Sequence, residues 1–274
     1  MECTKYSVLF SLYVKEKPEY LRLAVDSMLQ QSAPPEEIVI VEDGPLNEEL
    51  YAVLDEDEGA HPGLFVRVRN EKNLGLGRAL NEGLKACSCE LVARMDTDDI
   101  AKPDRCEKQL KLFCEDPELV IVGSFVDEFY EDPSEVVSVR AVPTSHEQIY
   151  EFAKRRSAFN HPTVMYKRSR VLEFGGYSDP RRNQDVDLFG RMLFGGCRAA
   201  NVGESLLFFR SNDALAKRRK SWNNSKSYID TIKRFWKMGY SGFGDYFTVL
   251  CAQTLMFLMP VRLQHWIYKK FLRK

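Results

Sequence analysis

Hydrophobic and polar positions change period repeatedly along the first hundred residues. "YSVLFSLY" (6–13) is a continuous apolar run of strand formers. "KPEYLRLAVDSMLQQ" (17–31) follows, with Pro18 suited to a first helical turn and Leu21, Val25, Met28 and Leu29 at helical spacing. "EIVIVEDG" (37–44) reads as a fully buried strand, "PLNEELYAVLDEDE" (45–58) as a polar helix and "LFVRVR" (64–69) as a third strand. Asn73, Gly75 and Gly77 interrupt the pattern before a helix in "RALNEGLKAC" (78–87), which leads into a strand in "ELVARMD" (90–96). Strands separated by short helices predict an α/β chain with a mostly parallel sheet and ligands beyond the carboxyl ends of its strands.

After Pro103 the pattern predicts a helix to about Cys114 and a strand in "LVIVGSFV" (119–126). Residues 127–160 predict irregular structure, with a strand near 136–142 and a short helix near 146–154. "HPTVMY" (161–166) reads as a strand, and "RSRVLEFGGY" (168–177) as a helix ended by Gly175 or Gly176. "DVDLFGRMLFGG" (185–196) is a second helix ended in the same way, and "SLLFFR" (205–210) a last strand. The remainder is basic and helical, without an internal repeat or a low-complexity linker.

With 44% hydrophobic and 29% charged residues and a net charge of −1, the 274-residue chain is globular in composition. The neutrality conceals an asymmetry. Residues 1–200 hold 25 Lys/Arg against 36 Asp/Glu, and residues 201–274 hold 14 against 4. A basic tail seeks anionic partners: nucleic acid, phosphates or an acidic membrane surface. Seven scattered cysteines make no disulfide framework, and no signal peptide opens the chain, which predicts a reducing cytoplasm. Cys87 and Cys89 lack a second pair at zinc-finger spacing.

The apolar stretch from Phe247 to Val261 contains Gln253, Thr254 and Pro260 and falls short of the ~20 residues of a spanning helix. Trp266, Ile267, Tyr268, Phe271 and Leu272 then mix with Arg262, Lys269, Lys270, Arg273 and Lys274. Such a mixture suits a helix lying on anionic lipid; packing on its own domain, or on a second copy in a homodimer, is the alternative.

Two acidic clusters, "VEDG" and "MDTDD", stand at the carboxyl ends of predicted strands. Crowded carboxylates repel one another and call for compensation. The D-x-D spacing of Asp96 and Asp98 can turn two carboxylates to one side, where a hard cation such as Mn²⁺ or Mg²⁺ binds through carboxylates and substrate phosphate oxygens.

Beyond these features, the chain up to about residue 220 resembles the family-2 glycosyltransferases of GT-A fold, in particular those assembling bacterial capsule and O-antigen repeat units. The resemblance rests on the run from "SVLFSLYVKEKPEY" to "VEDGP", then "NLGLGRALNEGL", "LVARMDTDDIAKPDR", "NHPTVMYKRSRVLEFGGY", "NQDVDLFGRML" and "SLLFFRSNDALAKRR", in the family's order. It implies a GT-A (Rossmann-like) domain over 1–215, with a nucleotide-binding half (1–100) and an acceptor-binding half (101–215). Residues 216–274 follow as a helical, membrane-associating or oligomerising extension.

The resemblance also implies roles. Asp43 reads the uracil of a UDP-sugar, an Asx-turn at Asp43–Gly44 being the alternative. Ser11, Gly75 and Arg78 line the same pocket, Arg78 being otherwise a solvated helix arginine. Asp98 ligates the metal, Asp96 the ribose or the metal, and Asp99 supports the turn or caps the following helix. Asp185 is the general base on the acceptor hydroxyl, or else a helix N-cap; Gln184 replaces an acid common in relatives, and Asp187 pairs with Arg191. His161, in "NHP" with Asn160 and Pro162, contacts sugar or phosphate or is structural. Arg210, Lys217, Arg218 and Arg219 close over the diphosphate as a mobile cap, and Asn212 or Asp213 replaces a histidine ligand found in relatives.

The expected activity is inverting, metal-dependent, single transfer of a hexose or N-acetylhexosamine from a UDP-sugar to a lipid-diphosphate-linked saccharide. It takes place at the cytoplasmic face of the membrane, with no nucleic acid involved. A sugar-nucleotide nucleotidyltransferase is the enzymatic rival, but "SLYVKEKPEY" lacks its glycine- and arginine-rich loop. A non-catalytic nucleotide- or membrane-binding protein is the other rival.

Overall fold

The four leading apolar runs form β1 (Tyr6–Leu12), β2 (Glu37–Glu42), β3 (Phe65–Arg69) and β4 (Leu91–Arg94), paired in parallel in the order β3-β2-β1-β4. The structure is a computed structural model that describes residues 5–178, 182–211 and 221–258. Helices α1 (Pro18–Leu29), α2 (Glu48–Ala60) and α3 (Leu76–Ala86) connect these strands. Successive strand residues point to opposite faces, so β1 feeds two cores. Leu9 packs with Ala79, Leu80 and Leu84 of α3, whereas Val8 and Phe10 join Leu21 and Val25 of α1 and Leu50 and Val53 of α2. Burial on both faces explains why these strands read as unbroken apolar runs.

The second half comprises β5 (Ile100–Ala101), α4 (Arg105–Glu115), β6 (Leu119–Phe129), β7 (Ser138–Arg140), α5 (His146–Ala153), β8 (Met165–Lys167), α6 (Arg168–Glu173), α7 (Gln184–Phe194) and β9 (Arg198–Arg210). They extend the sheet to β3-β2-β1-β4-β8-β6-β9-β5, with β7 on β6. β8 runs antiparallel to β4 and β6, and β9 parallel to β6, giving a mixed, mostly parallel sheet flanked by helices.

Two sequence expectations are corrected. "HPTVMY" is not a strand throughout: Asn160 precedes a 3₁₀ turn, His161–Thr163, and β8 begins only at Met165, because Pro162 has no N–H for a ladder. β9 begins at Arg198, not at 205, its polar middle at Gly203 and Glu204 coinciding with a shift of register against β6. Cys114 is disulfide-bonded, whereas Cys87, Cys89, Cys106, Cys197 and Cys251 are free thiols.

Helices α8 (Trp222–Met238) and α9 (Phe243–Leu258) follow. Ile232 and Phe235 of α8 enter the main core, and Phe235 covers Gly190 of α7 so closely that a Cβ there would lie 2.0 Å from its ring. By contrast, α9 buries Val249 and exposes Phe243, Phe247, Leu255 and Leu258. No helix among the described residues is long and apolar enough to cross a membrane, and residues 259–274 of the basic, aromatic tail lie outside them.

Candidate active site

The carboxyl ends of β2 and β4, on either side of β1, carry the two acidic clusters. At the end of β2, Asp43 is buried, and one carboxylate oxygen accepts the Leu74 N–H at 2.7 Å and the Asn70 amide at 3.2 Å; the other accepts the Gly75 N–H at 2.9 Å. The acid therefore shapes the 70–75 loop and does not close a local Asx-turn. Gly44 (φ 93°) allows this approach, since a Cβ there would lie 2.8 Å from the Asn73 nitrogen. Gly75 (φ 90°) sits at the N-cap of α3 in a conformation that favours glycine. Ser11, half-buried, faces Val41 in the β1–β2 ladder, and Arg78 is exposed in the first turn of α3.

At the end of β4, carboxylate oxygens of Asp96, Asp98 and Asp99 all lie within 4.8 Å of one another. Burial, and then the charge of Asp96, push the Asp98 carboxyl up to about 6. Asp99, 1% exposed, is pushed well above the ordinary carboxylate range by burial and by both neighbours. It does not cap the next helix, whose N-cap position is Asp104; instead it accepts the Arg210 main-chain N–H at 2.8 Å, tying β9 to the acidic turn. This all-oxygen donor set, crowded enough to resist full ionisation, fits a hard divalent cation.

Two arginines support the cluster. Arg94, 1% exposed, donates to Asp96, while its carbonyl accepts from the buried Arg105 guanidinium at 2.7 Å. Sequence reasoning passed over Arg94; a lone arginine inside the apolar run "LVARM" was its signal. Arg210 is not part of a mobile cap. It is 5% exposed, its Nε donates to the Asp98 carbonyl at 3.0 Å, and its guanidinium lies 3.9 Å from the Tyr20 ring centroid and 4.5 Å from that of Phe129. Arg218, with Lys217, Arg219, Asn212 and Asp213, falls outside the described residues.

α7 brings Asp185 to the same region. Its N-cap position is held by Asn183 in the left-handed conformation (φ 58°), so Asp185 is a first-turn residue and not the cap. Burial raises its pKa against the lowering effect of the Val186 and Asp185 N–H groups, and the charges of Arg94 and Asp96 reach it. Gln184 packs at the start of α3, its Cγ 3.3 Å from where a Cβ on Gly77 would be. Asp187 accepts from Arg191 at 3.0 Å, as the spacing predicts, and from Arg234 of α8 at 2.8 Å. The His161 imidazole lies 2.9 Å from the Tyr177 hydroxyl, and burial with Arg94 nearby keeps it well below its ordinary pKa, hence neutral. Asn160 is buried and donates to the Ser124 and Arg140 carbonyls.

Residues 7–175 match the model of the family described as "Glycosyl transferase family 2". The amylovoran biosynthesis glycosyltransferase AmsE of Erwinia amylovora is 37% identical over 97% of this chain and 98% of its own length. An Escherichia coli UDP-Gal:α-D-GlcNAc-diphosphoundecaprenol β-1,3-galactosyltransferase is 32% identical over 98% of this chain and 97% of its own. Among solved structures, the mannosyltransferase PcManGT of Pyrobaculum calidifontis, in complex with GDP-Man and Mn²⁺, superposes with a TM-score of 0.66 at 16% identity, covering 92% of this chain and 70% of that one. The S. aureus TarS 1–349 complex with UDP gives a TM-score of 0.66 at 14% identity over 96% and 78%. At such identities the structural likeness establishes the fold, and the family match with the full-length relatives establishes the rest: the chain belongs to glycosyl transferase family 2 and is a glycosyltransferase of GT-A fold.

Proposed function

We propose that this glycosyltransferase moves a hexose or N-acetylhexosamine from a UDP-sugar to a lipid-diphosphate-linked saccharide, inverting the anomeric centre in one metal-dependent, non-processive step. One observation carries the reading: an all-oxygen cluster of Asp96, Asp98 and Asp99 at the end of β4, beside Asp43 at the end of β2, with Asp185 within reach of its field. The donor and acceptor classes follow the activity of the E. coli relative, and the UDP-GlcNAc complex of TarS accords with a uridine donor.

Asp98 and Asp96 would hold Mn²⁺ or Mg²⁺, which supplies positive charge to a departing diphosphate. Asp43 and the 70–75 loop that it shapes receive the uracil, with Ser11, Gly75 and Arg78 around it. Asp185 takes the proton of the acceptor hydroxyl as that oxygen bonds to the anomeric carbon and the bond to the β-phosphate breaks, releasing UDP. Its raised pKa makes it a stronger base than a solvated aspartate. Arg210 holds the Asp98 carbonyl and the Asp99 turn in place, and neutral His161 offers its ring to a sugar hydroxyl.

The exposed aromatic face of α9, followed by the basic 259–274, accords with peripheral attachment to an anionic cytoplasmic membrane surface, with a homodimer as the other use of that face. Release of UDP from a panel of UDP-sugars, with lipid-diphosphate-linked saccharide present and Mn²⁺ supplied or chelated, tests the reading. Metal-dependent release that rises with acceptor is expected, and release indifferent to chelation from every donor would sink it.

A further inference from the structure

The fold buries two arginines in contact with each other, and their guanidiniums are served differently. Arg105 uses all of its nitrogens: Nε donates to the Gln109 side-chain oxygen at 3.2 Å, Nη1 to the Met95 sulfur at 3.2 Å and Nη2 to the Arg94 carbonyl at 2.7 Å. Arg94 is as deeply buried, yet its Nε and Nη1 have no hydrogen-bond partner among the described residues. Its Nη2 donates to Asp96, the one carboxylate with which it pairs among them.

Position explains the pairing. Alternate residues of a strand face opposite sides. Leu91, Ala93 and Met95 enter the core shared with α1, α2 and α4, Val92 enters the core shared with α3 and α7, and Arg94 and Asp96 fall in register with Val92. The Arg94 N–H donates to the Val164 carbonyl at 2.9 Å and its own carbonyl holds Arg105, so the backbone that carries the side chain is fixed on both sides. Asp96 stands on the turn after β4 with its side chain 31% exposed, and is thus where the buried guanidinium meets the open site.

Stability does not account for such a residue. A buried cation with unpaired donors is unfavourable, and an apolar side chain of similar length would fill the space without them. The orphaned nitrogens are themselves buried, so substrate does not touch them; Arg94 reaches the site through Asp96 alone.

We infer that Arg94 is a positioning residue for the cation site: by holding one carboxylate oxygen of Asp96, it fixes that carboxylate and leaves the other oxygen for the metal. The inference rests on the metal-dependent reading above and adds what orients Asp96. Removing Arg94 has two effects of opposite sign. Loss of a positive charge near the site favours a cation, whereas loss of orientation disfavours it. Orientation is the larger effect, because a hydrogen-bond partner of a ligating group is typically worth about 10–100-fold in metal affinity.

The test uses the full chain with UDP, reading Mn²⁺ binding by electron paramagnetic resonance and stability by thermal melts. Arg94→Met is expected to weaken Mn²⁺ binding about 10–100-fold while Tm stays level or rises, since an apolar chain replaces a buried cation with orphaned donors. Arg94→Lys should recover part of the affinity, the charge remaining and the fork being lost. Asp96→Ala should also weaken Mn²⁺ binding but lower Tm, because it strands the guanidinium. Adding Arg94→Met to Asp96→Ala should cause no further loss of affinity, the arginine acting only through Asp96. Unchanged or tighter Mn²⁺ binding in Arg94→Met overturns the inference, as does a lowered Tm or failure to fold in that variant, or a further loss in the double variant. These results leave the metal-dependent reading intact; a wild type that binds no Mn²⁺ in the presence of UDP would overturn that reading and the inference together.

Discussion

A carboxylate oxygen of Asp43 accepts the main-chain N–H of Gly75 at 2.9 Å. With the Leu74 N–H on the other oxygen, one side chain at the end of β2 fixes the entry to α3, 32 positions further along the chain.

Removing this acceptor leaves two main-chain donors unsatisfied, at a cost of about 2 kcal/mol. Asp43→Ala is expected to lower Tm and to weaken UDP binding, measured by calorimetry, about tenfold or more. Asp43→Asn should fare little better, because an amide can offer only one acceptor oxygen to donors that now engage two. Wild-type UDP affinity in either variant would separate this loop from the nucleotide site.

The three acids of "MDTDD" have different environments and should respond differently. Asp98→Asn removes a like charge from a crowded cluster, so Tm should hold or rise while metal-dependent turnover falls by two orders of magnitude or more. Asp99→Ala removes the acceptor of the Arg210 N–H and should lower Tm by a few degrees, loosening the turn on which Asp98 stands. Thermal melts and UDP release on the same preparations check both. Equal behaviour of the two variants would contradict the assignment.

Burial raises the pKa of Asp185, and a general base acts when ionised. The transfer rate should therefore fall as pH drops through a value above the ~3.9 of a solvated aspartate. Asp185→Asn should lose about 10²–10⁴-fold in kcat, with Mn²⁺–UDP binding retained and this acidic limb gone. An acidic limb that persists unchanged in the residual activity of Asp185→Asn would assign the titration to another group.

The parallel half of the sheet was readable because strands buried on both faces are continuous apolar runs, and the glycine stops after α6 and α7 were readable because they need no tertiary information. Legibility failed where distant partners decide. The first half of β9, interrupted at Gly203 and Glu204, has no continuous apolar run and becomes a strand only because β6 lies beside it. The D-x-D acids declared themselves by crowding. The locking of Arg210 beneath that turn depends on a contact across 111 positions, and the loop-shaping role of Asp43 on one across 31. Likewise the Asp187–Arg191 pair follows from helical spacing, whereas Arg234, 47 positions on, required the packing of α8 on α7.

That last pair has a stability consequence with a definite sign. Burial opposes ionisation of Asp187, but the neighbouring Ser178 hydroxyl and the Arg234 and Arg191 guanidiniums outweigh it and hold the carboxyl below its ordinary range. A depressed folded-state pKa means that the ionised form is favoured by folding, so the stabilisation is fully present above the unfolded value of ~3.9 and is lost as pH falls through the lower folded value. Arg234 is partly exposed, which reduces the contribution to about 1–2 kcal/mol. Asp187→Asn should therefore melt several degrees lower than wild type at pH 7, and the gap should close as both are taken below pH ~4. Differential scanning fluorimetry across that range decides the matter: a gap that stays constant with pH would mean that packing at the α7–α8 contact, and not the charge of Asp187, holds α8 to the core.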